Sequence, residues 1–373
     1  MKNKWTIILF CSLLFLNSNA SHSQTLNHLY KGGEEGYQCY RIPSLITTNN
    51  GTLLAFAEAR KNNCKDAGDI DLVVKRSDDG GKTWSALQVV WDDSANTCGN
   101  PAPVVDRATG NIILITTWNL GSDHEKDIEN GSSKDTRRVF VLSSTDDGLT
   151  WSKAKQITTD VKKDNWTWYA TGPGQGIQVS KGKYKGRLVI PCNYKEAITN
   201  KNFSHAIYSD DKGLSWKLGG ITPVDGLNEA TMAELSNGEL ILNMRNSGPA
   251  RTRKIAISKD GAASWSPVYN DTILIEPVCE ASLISYRAAG KKWMAFSNPA
   301  SKTARVMMTV RISKNNGKTW PLKKVLYTGP SAYSCLTQLP NGNLGCLYEA
   351  GLQRPYEGIV FVEISKNDFE KNN

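Results

Sequence analysis

The stretch from residue 40 to residue 84 carries side chains that could bind a small anion. Arg41 opens the tripeptide Arg-Ile-Pro, Arg60 ends an apolar run at 53–60, and Asp66 follows in a polar loop. Guanidinium groups stay charged and can grip a carboxylate through paired hydrogen bonds. Two arginines and a carboxylic acid delivered by short alternating strands and the loops between them are how a β scaffold builds an anion site.

Further polar residues stand beside the ends of predicted strands without an evident structural reason. Arg245 follows the strand-like run 240–244, and Arg305 follows a short polar loop. Glu229 and Tyr333 occur in the contexts Leu-Asn-Glu-Ala-Thr and Ser-Ala-Tyr-Ser. A single arginine or tyrosine is usually a surface, rim or core residue. These residues indicate a functional site only if the fold brings their side chains close together.

A short motif that occurs five times indicates the elements that hold these side chains. Ser-x-Asp-x-Gly-x-Thr/Ser-Trp is complete at 77–84, 144–151 and 209–216, and degenerate at 258–265 and 313–320. One complete match arises by chance in on the order of one chain in several thousand of this length. The Asp would accept hydrogen bonds from turn amides, the Gly would take a positive φ and the Trp would pack under the turn. We therefore expect these acids to be structural.

The spacing of the motif predicts the architecture. Successive copies start 49 to 67 residues apart, which suits a four-stranded blade with long connecting loops. Six apolar segments share one design, a glycine turn followed by a buried strand, and they begin at Gly51, Gly110, Gly186, Gly238, Gly290 and Gly342. The run 358–364 is predicted to be a last strand that completes the first blade. These patterns predict an all-β fold, a single six-bladed β-propeller that gathers its loops at one end of the axis.

Two motifs carry a resemblance to a known family. Residues 40–43, Tyr-Arg-Ile-Pro, resemble the Tyr/Phe-Arg-Ile-Pro motif of the bacterial-type exo-α-sialidase (neuraminidase) family, and the repeated motif resembles its Asp-box. The resemblance covers essentially the whole chain after residue 24. It implies a retaining hydrolase that removes terminal α-linked sialic acids from glycoproteins, glycolipids and oligosaccharides.

The resemblance also implies a role for each candidate residue. It assigns catalysis to Asp66 as acid/base, Glu229 as base and Tyr333 as nucleophile, and carboxylate binding to Arg41, Arg245 and Arg305. Further substrate-site residues implied in this way are Arg60, Asn100, Trp118 and Glu349, of which Glu349 pairs with the first arginine. Asn100 takes the place of an Asp near the 4-hydroxyl and N-acetyl groups in some relatives. Trp118 is expected either to line the N-acetyl pocket or to be a buried core residue.

Several of these positions have a rival nearby. The rivals are Asp69 and Asp71 for the acid/base, Glu234 for the base and Arg311 for the third arginine. Asp69 and Asp71 are two residues apart at the start of a predicted strand, which places both on one face and suits a structural role. Arg311 lies in the run that leads to the fifth Asp-box. We expect all four to lie outside the site.

Two other kinds of function stay open on the sequence alone. A trans-sialidase, an anhydro-forming sialidase or a hydrolase of the deaminated sugar would keep the same site, because the acceptor subsite decides among them. A non-catalytic Asp-box propeller would bind glycans. A pure lectin could use the arginines but has no need of Asp66, Glu229 and Tyr333, so their presence favours an enzyme.

Residues 1–24 have the features of a secretory signal peptide. Lys2 and Lys4 precede an apolar run at 5–16, which is too short to span a bilayer, and small polar residues follow it. Residues 25–373 are then the catalytic domain, exported to the periplasm, the cell surface or the medium. A retained or lipid anchor is the alternative, and no transmembrane segment is expected in the mature chain.

The composition of the chain limits the classes of binding partner and cofactor that we expect. The formal charge is +9, but the lysines are scattered and no basic helix occurs, which excludes nucleic acid. Sialylated glycoconjugates are the partners that the resemblance implies. The oligomeric state is not indicated. Seven cysteines follow residue 24, an odd count without Cys-x-x-Cys. We expect mostly small buried residues with at most one disulfide, and no metal or other cofactor. The polar insertion at 123–135 is either a rim loop or a cover over the site.

Overall fold

The computed structural model describes residues 26–370, so the predicted signal peptide lies outside the described residues. Within that range the chain forms 24 β-strands and three short helices, which confirms the all-β prediction. The helices are α1 (Glu125–Glu129), α2 (Thr158–Val161) and α3 (Lys366–Glu370). The strands are β1 (His28–Lys31), β2 (Cys39–Thr47), β3 (Leu53–Arg60), β4 (Ile70–Ser77), β5 (Gln88–Trp91), β6 (Thr97–Val105), β7 (Ile112–Asn119), β8 (Arg138–Ser144), β9 (Lys155–Gln156), β10 (Trp166–Thr171), β11 (Ile177–Gln178), β12 (Leu188–Glu196), β13 (Asn202–Ser209), β14 (Lys217–Ile221), β15 (Leu227–Glu234), β16 (Leu240–Asn246), β17 (Thr252–Ser258), β18 (Tyr269–Ile275), β19 (Ser282–Ala288), β20 (Lys291–Pro299), β21 (Val306–Ser313), β22 (Leu322–Gln338), β23 (Leu344–Ala350) and β24 (Gly358–Ile364).

These strands form four sheets in which most neighbours in sequence pair antiparallel. The sheets contain β2 to β9, β10 to β14, β15 to β18, and β19 to β24 together with β1. The strand predicted at 358–364 is β24, and it pairs with β23 on one side and β1 on the other. The two ends of the described chain therefore share one sheet. No helix within residues 26–370 is long and apolar enough to cross a membrane.

The Asp-boxes form the predicted hairpin turns, each starting on the last residue of a strand. In the first box, the Asp79 carboxylate accepts hydrogen bonds from the Ser77 hydroxyl (2.8 Å) and the Thr83 amide (2.9 Å). Gly81 has a φ of 93°, and a Cβ there would collide with the ring of Phe361. In the fifth box the Asn315 side-chain oxygen accepts the same amide bond at 2.9 Å. The box acids are structural, as predicted.

Each of the six glycine-initiated segments is a largely buried strand, as predicted: β3, β7, β12, β16, β20 and β23. Hydrophobic clusters made by residues of successive strand groups fill the space between them. The box tryptophans close these layers, since Trp151 packs on Phe56 and Trp84 on Phe361 with ring centres 5.6 Å and 5.2 Å apart. The core therefore lies between sheets, and the strand ends and loops are left to build a site.

One disulfide is present, between Cys39 and Cys64, and the remaining five described cysteines are buried thiols. This agrees with the expectation of buried cysteines and at most one bridge. The charged insertion at 123–135 contains α1 and is pinned at its base, where the Asp135 amide donates to the Asp123 carboxylate at 2.9 Å.

Candidate active site

A polar cleft of about 330 Å³ collects side chains from strands far apart in sequence. Its volume is in the range of small-molecule sites. The predicted residues that line it are Arg41, Arg60, Asp66, Asn100, Glu229, Arg245, Arg305 and Tyr333. Eight different strands or loops supply these eight positions, so the fold rather than local sequence brings them together.

Arg41 is fixed by a carboxylate beneath it. Its Nε and Nη2 atoms donate to the two oxygens of Glu349, at 2.9 Å and 3.3 Å, and Glu349 is fully buried. The same carboxylate accepts the amides of Ile42 (3.0 Å) and Tyr333 (3.1 Å). Glu349 thus joins β2 to β22 and β23 and sets the guanidinium plane toward the cleft, because bidentate pairing leaves little rotational freedom.

Tyr333 lies at the floor of the cleft between a carboxylate and a guanidinium. Its hydroxyl donates to Glu229 Oε1 at 2.6 Å and accepts from Arg245 Nη1 at 3.1 Å. Arg245 Nη1 also pairs with Glu229 Oε2 at 2.6 Å. Arg245 Nε is buried and has no hydrogen-bond partner among the described residues.

The electrostatics keep the Tyr333 hydroxyl protonated in the free site. Burial and the neighbouring Glu229 carboxylate raise the pKa of Tyr333 well above its ordinary value, against the pull of the nearby guanidinium groups. A deprotonated phenol would place two negative charges 2.6 Å apart. Glu229, which already accepts this hydrogen bond, is the carboxylate in direct contact with the Tyr333 hydroxyl.

Arg305 enters the cleft from the loop before β21. Its Nη1 donates to the hydroxyl of Tyr356 at 2.8 Å, and its Nη2 donates to the carbonyl of Val278 at 3.1 Å. Its guanidinium lies 5.6 Å from the centre of the Tyr333 ring, and that of Arg41 lies 5.2 Å from it. Both cations thus flank the phenol.

Asp66 lines the cleft as a largely exposed side chain. Its carboxylate contacts Arg60 Nη1 at 2.8 Å and Arg41 Nη1 at 3.4 Å, and 58% of the side chain is exposed. Enclosure within the cleft by itself raises the pKa of Asp66, but the charges of Arg60 and Arg41 outweigh it and lower the pKa. Arg60 is in turn fixed by Glu58 at 2.6 Å.

Comparison with known proteins agrees with this geometry. The family described as a BNR repeat-like domain matches residues 51–346. The chain is 36% identical over 340 residues to a sialidase of Micromonospora viridifaciens, covering 88% of this chain and 52% of that protein. It is 31% identical over 344 residues to an exo-alpha-sialidase of Arthroderma benhamiae, covering 84% of this chain and 79% of the relative. The chain belongs to the sialidase family.

A solved sialidase structure shares the fold. A Hadza microbial sialidase superposes with a TM-score of 0.84 at 31% identity, over 92% of this chain and 69% of that one. The chain spans about half the length of the Micromonospora relative. The comparisons thus establish the sialidase family and fold for the described strands.

A second wall of this sialidase-family cleft contains an arginine that the sequence did not single out. Arg137 donates to the side-chain oxygen of Asn100, to Thr117 Oγ1 at 2.8 Å and to Asn119 Oδ1 at 2.6 Å. It also lies over the ring of Trp168, 4.3 Å from its centre. Burial lowers the pKa of Arg137 to about 10. The only signal for Arg137 in the sequence was that it forms an Arg-Arg pair with Arg138, the first residue of β8.

The expectation that Trp118 lines an N-acetyl pocket is not met. Its indole nitrogen donates to Asp93 at 2.6 Å, and its ring packs against Phe140. Successive residues of a strand point to opposite faces. Because Thr117 points toward Asn100 and the cleft, Trp118 points away from it. Trp168 is the tryptophan that lines this cleft.

The insertion at 123–135 reaches the cleft. Glu125, the first residue of α1, is among the residues that line it. Lys195 holds the helix by pairing with Glu129 at 2.9 Å. No motif in the insertion identified Glu125.

Three non-glycine residues at or beside the cleft have a strained backbone conformation. Ile42, Asn100 and Val278 have φ values of 58°, 53° and 57°. This left-handed region is costly for residues with a Cβ, and above all for β-branched ones. In β2 it accompanies a bulge between Arg41 and Ser44 that breaks the strand register. Arg41 itself still pairs with Glu58, and the bulge formed by the next two residues changes the direction of the strand directly beside the site.

None of the four rivals lines the cleft. Asp71 accepts a hydrogen bond from the Tyr37 hydroxyl at 2.6 Å, and Glu234 pairs with Lys292 at 2.8 Å. Within residues 26–370 there is also no group of three or more His, Cys, Asp or Glu side chains arranged to hold a metal ion.

Proposed function

We propose that this chain is a retaining exo-α-sialidase that hydrolyses terminal α-linked sialic acids of glycoproteins, glycolipids and oligosaccharides. One observation carries the proposal. The Tyr333 hydroxyl lies 2.6 Å from Glu229 and 3.1 Å from Arg245, in a cleft that also contains Arg41 and Arg305. A neutral phenol beside a base and several guanidinium groups matches an anionic substrate that must be attacked by an uncharged nucleophile.

The charge of the substrate explains the tyrosine. Sialic acid carries a carboxylate on its anomeric carbon, so an approaching Asp or Glu nucleophile would be repelled. Sialidases with a tyrosine nucleophile are a known exception to the two-carboxylate scheme of glycosidases. Here the Tyr333 oxygen would bond to the anomeric carbon while its proton passes to Glu229, which already accepts its hydrogen bond. The guanidinium groups of Arg41, Arg245 and Arg305 would hold the carboxylate.

Asp66 would complete the reaction. Its proton would pass to the glycosidic oxygen as the bond to the anomeric carbon breaks, and the resulting carboxylate would later deprotonate the water that releases Tyr333. In the free site, Arg60 and Arg41 lower the pKa of Asp66. A substrate carboxylate on Arg41 would offset that charge and raise the pKa, so binding would help to protonate the acid.

The same proposal extends to the architecture. Each glycine-initiated strand is central in a group of about four strands, and there are six such groups among the described residues. The groups are β2–β5, β6–β9, β10–β14, β15–β18, β19 to the first part of β22, and the rest of β22 with β23, β24 and β1. We propose that they are the six blades of one β-propeller spanning residues 25–373.

Export is proposed on the signal-like residues 1–24 together with the disulfide. A Cys39–Cys64 bridge persists in oxidising compartments and is rare in the cytosol. The periplasm, the cell surface and the medium all satisfy this condition.

The test is hydrolysis of a fluorogenic α-sialoside by three proteins. Tyr333→Phe should lose on the order of 10³-fold or more in kcat, and Arg245→Ala roughly 10²-fold or more in kcat/KM. Tyr327→Phe is the matched control, because Tyr327 is a buried tyrosine of the same strand whose hydroxyl bonds the Gly351 carbonyl at 2.8 Å. Full activity of Tyr333→Phe or Arg245→Ala would refute the assignment.

NMR of the first-formed product tests the stereochemistry and the acceptor. Two displacements at one carbon give the α-anomer of the free sugar first. An initial β-anomer would contradict the tyrosine scheme. A 2,7-anhydro sugar or a new sialoside would instead indicate the anhydro-forming or trans-sialidase reactions.

A further inference from the structure

The Cys39–Cys64 disulfide connects the strand that carries one substrate arginine to the loop that carries the acid. Cys39 begins β2 two residues before Arg41, and Cys64 lies two residues before Asp66 in the loop between β3 and β4. Their Cα atoms are 5.3 Å apart. Cys64 also lines the cleft itself. A covalent bond therefore fixes the distance between two elements that must act on the same substrate molecule.

Apart from the ion pairs of the Asp66 side chain with Arg60 (2.8 Å) and Arg41 (3.4 Å), little else in the described structure holds this part of the loop. Residues 61–66 are all exposed, whereas Cys39 is fully buried. Among described residues, the backbone of 62–66 makes one hydrogen bond to a strand, from Arg60 Nη1 to the Cys64 carbonyl at 2.6 Å. Beyond Asp66, the loop is anchored again where Gly68 exchanges hydrogen bonds with Thr97, at 2.9 Å and 3.1 Å. Asp66 thus lies between a covalent anchor and a hydrogen-bonded one.

We propose that this disulfide is a positioning device for the general acid. It holds Asp66 within reach of the leaving oxygen, and breaking it weakens protonation of the leaving group while the carboxylate clamp and the nucleophile stay in place. The clamp does not depend on the bridge, because Arg41 is fixed by the buried Glu349 and Tyr333 by Glu229. The inference rests on the proposed glycosidase function and adds a positioning role for Cys39 and Cys64 to it.

Exposure makes the bridge chemically addressable. Cys64 is exposed, whereas the five free cysteines of the described chain are all buried. A small dithiol can therefore reduce this bond in the folded protein, giving two electrons and two protons to the sulfurs and becoming a cyclic disulfide itself. Reduction and substitution then test the same proposal by independent routes.

The experiment compares two substrates that differ in their need for an acid. In an aryl sialoside with an acidic phenol, the phenolate can leave without being protonated. In 3′-sialyllactose the leaving group is a sugar hydroxyl, whose oxygen must receive a proton as the bond breaks. General acid catalysis typically contributes about 10²–10⁴-fold. In the double variant Cys39→Ala/Cys64→Ser, we expect kcat/KM for sialyllactose to fall roughly ten-fold or more beyond any fall for the aryl sialoside. KM for the aryl sialoside should stay within about two-fold of wild type.

Three controls make the result specific. Asp66→Asn should show the same discrimination between the substrates in full, because it removes the proton itself. Dithiol treatment should reproduce the effect in the wild type and do nothing to the double variant. Cys346→Ala, which changes a buried free thiol of β23, should leave the substrate ratio unchanged. Hydrogen exchange should become faster at residues 61–67 of the double variant and stay unchanged in β2.

The possible outcomes distinguish a failure of the positioning role of the disulfide from a failure of the proposed sialidase function. An equal loss on both substrates, or no loss on either, would overturn the positioning role while leaving the sialidase assignment intact. Unchanged exchange at 61–67 would overturn it as well, and this reading holds even if the variant folds less stably. A wild-type protein inactive on both substrates would refute the proposed function and this inference with it.

Discussion

Glu349 should be the residue on which the site depends most for its stability. Four donors converge on its two oxygens: Oε1 accepts from Arg41 Nε and the Ile42 amide, and Oε2 accepts from Arg41 Nη2 and the Tyr333 amide. In Glu349→Gln one oxygen becomes an NH₂ group. Whichever way the amide turns, two donors then face a donor in a fully buried position.

The magnitude follows from those contacts. Each buried donor left unpaired costs about 1–3 kcal/mol, and removing one partner of a buried ion pair costs about 3–5 kcal/mol. These two estimates describe the same loss, so we expect Glu349→Gln to lower the free energy of unfolding by about 3–5 kcal/mol. With an m value of about 3 kcal/mol per molar, the urea midpoint should fall by roughly 1–2 M.

Glu357→Gln is the matched control in the urea experiment. The Glu357 carboxylate also accepts three backbone amides, each at 2.9 Å, but it is only partly buried and holds a surface loop. Its substitution should cost clearly less. A Glu349→Gln protein within about 1 kcal/mol of wild type, or no less stable than Glu357→Gln, would refute the role assigned to the buried carboxylate.

Three further predictions test other parts of the molecule. Asp66→Asn should reduce kcat for sialyllactose by about 10²–10⁴-fold with little change in unfolding temperature, and normal turnover would exclude it as the acid. Hydrogen bonds from Thr150 lower the pKa of Asp146 to about 2, against about 3.9 in an unfolded chain, so its stabilisation is complete above about pH 4 and is lost as the pH falls through about 2. The deficit in unfolding temperature of Asp146→Asn should therefore shrink between pH 5 and pH 2 in a scanning experiment, and a constant deficit would contradict the argument. Arg305→Gln should raise KM for a sialoside roughly ten-fold or more at nearly unchanged stability, whereas a loss of stability with normal KM would make Arg305 structural.

The sequence was informative wherever the structure depends on local hydrogen bonds. The Asp-box is made of contacts between residues two to four positions apart, such as those of Asp79 with Ser77 and Thr83. The Asp-box can therefore be recognised as a short sequence motif, and so can the glycine turns before the buried strands. The same holds for Arg41, because the bulge that follows it in β2 is formed by its sequence neighbours Ile42 and Pro43.

The remaining site residues depend on contacts that no local pattern records. Arg137 acts through Asn100, 37 residues away, and through Trp168, 31 residues away, while Glu125 lies in an insertion without a motif. Trp118 is the converse case, a residue that was predicted to line the cleft and does not. It lies near the correct end of its strand, but its side chain is on the face that points away from the cleft. Register and loop closure decide these cases, and both are properties of the assembled sheets.

The charges of the clamp also show why it can be in place before a ligand arrives. Arg41 and Arg245 each have a carboxylate partner, at 2.9 Å and 2.6 Å, whereas Arg305 donates to the neutral oxygens of Tyr356 and Val278. Two cations are thus neutralised and oriented from behind, and within the described residues the third has no counter-ion in a salt bridge. A ligand with a single carboxylate would supply that missing charge. Donors held in advance need no reorganisation when the substrate binds or reacts, which is the condition under which electrostatic stabilisation of a transition state is largest.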